Sequence, residues 1–93
     1  MDKLVVVFTM EGCPFCDIMK DKLDEMKLPY LNRDISEHSD EYNLFVEVTG
    51  SEFVPAFMII ENIKDVTNTK AYVPDRDYKT IDEGVQIIKK VLS

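Results

Sequence analysis

Leu4-Val5-Val6-Val7-Phe8, then Thr9-Met10-Glu11-Gly12, then Cys13-Pro14-Phe15-Cys16: this stretch decides how the chain reads. Its first five residues form a continuous apolar, largely β-branched run, the pattern of a strand buried on both faces. The next four make a short loop. From Pro14 onward, apolar residues fall at Phe15, Ile18, Met19, Leu23 and Met26, a helical spacing, with Lys20, Lys22, Asp24 and Glu25 on the wet side. Pro14 suits a first helical turn, where its missing N–H is not needed. The chain's only two cysteines therefore stand where a buried strand becomes a helix.

That placement suits thiol–disulfide exchange, in which a thiolate attacks a disulfide sulfur. Cys13 falls at the helix start, where unpaired N–H groups and the macrodipole favour negative charge. Cys16, almost one turn along, is expected to be more buried and less ionised. The asymmetry assigns roles: Cys13 attacks the target and Cys16 resolves the mixed disulfide. Two other readings compete. Cys-x-x-Cys is also half of a zinc site, but no second pair exists and His38 is the only histidine. The cysteines could also be incidental core residues, although the proline between them and the strand–loop–helix setting weigh against that.

Outward from this unit, Pro29 is expected to end the first helix, and Tyr30-Leu31-Asn32-Arg33-Asp34-Ile35 reads as a second strand. Ser36 or Ser39 would cap a second helix, given an apolar face by Tyr42, Phe45 and Val48 with Leu44, and stopped at Gly50. This β-α-β-α order implies a parallel strand pair with a right-handed crossover. Ala56-Phe57-Met58-Ile59-Ile60 reads as a third strand, residues 61–68 as a hairpin connection, and Lys70-Ala71-Tyr72-Val73 as a fourth strand. Thr80 with Glu83 forms a capping box, and Ile81, Val85, Ile88 and Leu92 line a closing helix. The expected fold is α/β, βαβαββα, a four-stranded mixed sheet flanked by helices, in a single domain over residues 1–93.

Composition narrows the partners. Ninety-three residues with 45% apolar content support one modest core. A net charge of −7 argues against nucleic acid and anionic membrane, which demand positive surface. No apolar run approaches the roughly 18 residues of a membrane span, and no signal-peptide pattern opens the sequence. The expectation is a soluble cytoplasmic protein. The same acidity serves solubility or a partner with a basic docking face.

On these residues the sequence resembles the glutaredoxins of the thioredoxin-like superfamily. Cys13-Pro14-Phe15-Cys16 is similar to the family's Cys-Pro-Tyr-Cys motif, with Phe for Tyr. Val54-Pro55 before a strand is similar to its Thr-Val-Pro segment, and βαβαββα is its element order, so the resemblance runs from Leu4 to Leu92. It implies a glutathione-dependent thiol–disulfide oxidoreductase with Cys13 and Cys16 catalytic and no bound cofactor or metal, glutathione being the co-substrate. It also implies a monomer whose partners are disulfide-containing proteins, ribonucleotide reductase being one target the family suggests. The Val54–Pro55 bond would be cis and lie against Cys13, opening the Val54 backbone to an extended thiol substrate. Gly12, Phe15, Val54, Pro55 and Asp75 become the candidate substrate-binding residues.

The sequence departs from the family at several points. Met10 stands where a basic residue is usual, and Glu11 and Asp17 flank the cysteine pair and oppose ionisation of Cys13. No Gly-Gly…Asp segment follows the fourth strand. Val73-Pro74-Asp75-Arg76-Asp77 takes its place, with Asp75 as the substitute for the missing aspartate, Asp77 in reserve, and turn formation as the other reading of both. Phe15 fits either a substrate wall or the helix's apolar stripe, while Lys20 and Arg33 read as carboxylate contacts or solvated charges. Met10 and the missing Gly-Gly favour a thioredoxin-like reductant recycled by a thioredoxin reductase; the absence of Trp and of Trp-Cys-Gly-Pro-Cys counts against it. Two further classes remain open, an iron–sulfur or metal-binding module shared through Cys13 of two chains, and a redox-inert adaptor.

Overall fold

The computed structural model of the protein describes residues 3–93; Met1 and Asp2 of the expected 1–93 unit lie outside the described residues. The elements run β1 (Leu4–Thr9), α1 (Pro14–Glu25), β2 (Leu31–Asp34), α2 (Ser39–Thr49), β3 (Ala56–Ile60), a 3-10 turn (Val66–Asn68), β4 (Thr69–Tyr72) and α3 (Ile81–Leu92). The four strands form one mixed sheet in the order β2-β1-β3-β4. β1 runs parallel to β2 and antiparallel to β3, which forms an antiparallel hairpin with β4. This is the α/β architecture the sequence implied.

Burial follows from strand alternation across a sheet covered on both faces. Val5 and Val7 of β1, with Phe57 and Ile59 of β3, point to one face and pack against Met19 and Leu23 of α1 and Val85 and Ile88 of α3. Val6, Phe8 and Ala56 point to the other face, where Phe45 of α2 and Val73 cover them. α1 and α3 approach each other closely at Gly84: a β-carbon there would stand 3.0 Å from Met19 Cε and 3.2 Å from the Tyr78 ring. The Thr80–Glu83 capping box is formed, with Thr80 Oγ1 accepting from Glu83 N and Glu83 Oε1 accepting from Thr80 N, each at 3.1 Å.

Several boundaries differ from the sequence reading. α1 stops at Glu25, before Pro29, because Lys27 takes a left-handed φ of +56° and Leu28 N–H returns to Leu23 O at 2.9 Å, a helix-ending bond pattern. β2 pairs only over Leu31–Asp34, and β4 begins one residue earlier than Lys70. Neither serine caps α2. Ser36 donates from both its N–H and its hydroxyl to Asp34 Oδ1, and His38 takes the cap position without a side-chain bond. The expected apolar face of α2 is also narrower. Phe45 and Tyr42 meet Phe8 at ring-centroid distances of 4.8 and 5.7 Å, whereas Leu44 and Val48 lie off this one ring cluster and are exposed. Gly50 ends α2 at φ +74°, its N–H on Val46 O.

Candidate active site

The loop after β1 sets the first cysteine. Gly12 has φ +78°, a left-handed conformation that a side chain would strain. Cys13 follows in an extended conformation as the N-cap of α1, and Pro14 opens the helix. The Cys13 side chain does what a capping serine or aspartate does elsewhere: its Sγ accepts the Cys16 N–H at 3.2 Å. Cys16 is fully buried behind it, Cys13 retains 7% exposure, and the two are joined as a disulfide with Cα atoms 5.2 Å apart.

The opposite wall comes from the start of β3. Because β1 and β3 are antiparallel neighbours with Phe8 opposite Ala56, the residues just before Ala56 lie beside the loop that follows β1. Those residues are Val54 and Pro55, joined by a cis peptide bond, Val54 half-buried and Pro55 buried. Tyr78, 4% exposed, donates its hydroxyl to Pro55 O at 2.5 Å and stacks its ring on Phe57 at 5.4 Å. Burial and the nearby Asp77 carboxylate push the Tyr78 pKa up, so the phenol stays a donor.

A groove of about 500 Å³ runs from Phe15 and Ile18 of α1 past Val54 and Pro55 to the start of α3, bringing together Phe15, Val54, Pro55 and Asp75 of the sequence-predicted residues. Phe15 is 62% exposed and forms groove wall rather than core, since α1 turns Cys16, Met19 and Leu23 toward the sheet. The two aspartates separate. Asp77 is occupied within its own loop, accepting from Val73 N at 2.8 Å and from Arg76 Nη2 at 2.9 Å. Asp75, at φ +72°, lines the groove. Gly12 shapes the cysteine loop; neither it nor Cys13 nor Cys16 is among the residues lining the groove, whose lining nearest the pair in sequence is Phe15.

Charges around the site are partly paired. Lys22 binds Asp82 at 2.8 Å, Lys20 stands 3.6 Å from Asp17, and Arg33 stands 3.6 Å from Glu41. Among the described residues, no group of three or more His, Cys, Asp or Glu side chains converges as a metal site. Nor, among the described residues, is any helix long and apolar enough to cross a membrane. Sequence reasoning missed Tyr78, Phe53, Ile18 and Ile81 as site residues. Tyr78 lies in a loop without periodicity; Ile18 and Ile81 fit helix stripes that read as core. Phe53 directly precedes Val54-Pro55, and its bulk beside that pair was the available signal.

No curated protein matches the chain. A family model described as Glutaredoxin matches residues 5–63, a span that opens in β1, contains both cysteines and the Val54–Pro55 pair, and closes just beyond β3. With the match covering more than half of its length, the chain belongs to the glutaredoxin family.

Proposed function

We propose that this protein is a dithiol reductant of protein disulfides and glutathione mixed disulfides, working through Cys13 and Cys16 and recycled by glutathione. Family membership supports the coarser part, thiol–disulfide oxidoreductase chemistry. The observation that carries the finer part is the Cys13 sulfur at the amino end of α1, holding the Cys16 N–H, with Cys16 fully buried behind it. In the reduced protein, the Cys13 thiolate attacks one sulfur of a target disulfide; that bond breaks and the departing sulfur takes a proton. Cys16 then loses its proton and attacks Cys13 Sγ, releasing the second target thiol and closing the Cys13–Cys16 bridge. Two glutathione thiols reopen the bridge in sequence, leaving glutathione disulfide, so two electrons pass from glutathione to the target.

Val54 and Pro55 form the wall against which an extended substrate would lie, and Asp75 offers a carboxylate to an ammonium group. The reading includes a cytoplasmic monomer, in a compartment that keeps thiols reduced, and ribonucleotide reductase is the protein target to try first. The test is asymmetric. Cys13→Ser should abolish exchange, while Cys16→Ser should accumulate mixed disulfides and retain turnover of glutathione-linked substrates. Equal tolerance of both replacements rejects the mechanism. One observation favours a second reading, recycling by a thioredoxin reductase: Lys22 is paired with Asp82 and Met10 carries no charge, which leaves fewer cations for the glutathione carboxylates. Rates of bridge reduction by glutathione and by a reductase, compared side by side, separate the two.

A further inference from the structure

We propose that the groove that begins at Phe15, two residues on from Cys13, selects polypeptide disulfides whose reactive cysteine is flanked by a bulky apolar side chain and a basic residue. The inference rests on the redox reading above and names its substrate class. Phe15 at 62%, Ile18 at 41% and Phe53 at 64% exposure leave large apolar side chains in water around one groove. Pro74 and Ile81 extend the same lining. Exposed apolar side chains are ordinary when scattered singly and informative when they converge on one concave surface. Glutathione has no apolar side chain on either side of its cysteine, only a γ-linked glutamate and a glycine, so it leaves this lining unfilled. A polypeptide with Leu or Phe next to its cysteine fills it.

The charges specify the second feature. Among the described residues, Glu11 beside the cysteine loop, Glu52 beside Phe53 and Asp75 in the groove have no cation within ion-pair distance. Within the lining, Lys22 and Asp82 pair with each other and Lys79 balances Asp75 in sign, so the preference for a basic segment comes from the carboxylates around the groove rather than from its walls. With a net charge of −7 over the chain, and Glu11 and Glu52 in the segments that lead into the cysteine loop and into Val54–Pro55, the surroundings of the groove favour a basic peptide segment over an acidic one.

The experiment uses the full chain, pre-reduced so that no recycling system enters. Its substrates are symmetric disulfide dimers of short cysteine peptides carrying Leu or Ser next to the cysteine and Lys or Glu two residues away. Each reaction yields two peptide thiols and one Cys13–Cys16 bridge. Single-turnover rates are expressed relative to hydroxyethyl disulfide for the same variant. Leu over Ser should give about tenfold. Lys over Glu should give about tenfold at low salt, falling toward parity at about 1 M salt. Phe53→Ser should cut the Leu preference to about twofold, and Val48→Ser, on the exposed side of α2, should leave it intact. Leu and Ser peptides reacting within twofold in the wild type, or an undiminished preference in Phe53→Ser, overturns the groove assignment alone. A wild type inert toward hydroxyethyl disulfide as well overturns the redox reading and this inference together. A concentration-dependent dimer abolished by Phe53→Ser assigns the face to a second copy of the chain and overturns the peptide assignment.

Discussion

Replacing Tyr78 by Phe removes one oxygen and leaves the ring stacked on Phe57, so the substitution isolates a single hydrogen bond. The group left behind is the carbonyl of the buried Pro55, which no longer has a hydroxyl donor. A buried acceptor stripped of its donor costs about 1–3 kcal/mol, and the intact ring excludes a cavity contribution. Urea unfolding of the oxidised protein at pH 7 should show a lower midpoint at unchanged slope. The pH dependence gives a second, independent reading. The folded protein holds the Tyr78 pKa above the ordinary 10.0, so Tyr78 stabilises the fold fully below about pH 10, and that contribution fades as pH climbs toward the folded value. Above pH 10 the unfolded wild-type chain releases a proton that the folded one keeps, whereas the Phe variant has none to release there. The gap between wild type and variant should therefore narrow by about 1.4 kcal/mol per pH unit above about pH 10. A gap below about 0.5 kcal/mol at pH 7, or one that stays constant to pH 11, would refute the reasoning.

Three further outcomes follow from the same structure. Thr80→Ala breaks the capping box at the start of α3 and should cost about 1 kcal/mol in the same unfolding assay, with Thr80→Ser recovering most of it. Leu23→Ala empties a fully buried position between α1 and the sheet and should cost about 2–5 kcal/mol, a loss that thermal unfolding will show directly. Glu11→Gln removes a carboxylate next to the cysteine loop, so alkylation of reduced Cys13 at neutral pH should quicken by a few-fold at low salt and converge with wild type at about 1 M salt.

What could be read in advance divides along physical lines. A buried strand entering a helix leaves a change of period, and a capping box leaves a fixed spacing, so β1, α1 and the start of α3 were visible in the residues themselves. Helix 2 was harder, because Phe45 is its one buried residue and, with the partly buried Tyr42, carries its packing against the sheet. Val48 continues the pattern without continuing the contact. The two halves of the groove lie far apart in the chain. Phe15 and Asp75 meet only after the sheet has placed them, and no local signal separates Asp75, which faces the groove, from Asp77, which ties its own loop. Tyr78 was least legible of all. Its role depends on a carbonyl 23 residues earlier, and a tyrosine in an irregular loop carries no periodicity to announce it.

The strand order has a dynamic consequence. β1 and β3, the two strands that deliver Cys13 and Pro55, are the inner pair, while β2 and β4 form the sheet's margins. Fraying at either margin leaves the Phe8–Ala56 rung closed, so the Cys13 loop and the Val54–Pro55 segment keep their spacing through partial openings that release the borders. In deuterium, the amides of that rung should be among the last to exchange, and the enzyme should stay competent in states where its periphery has already melted.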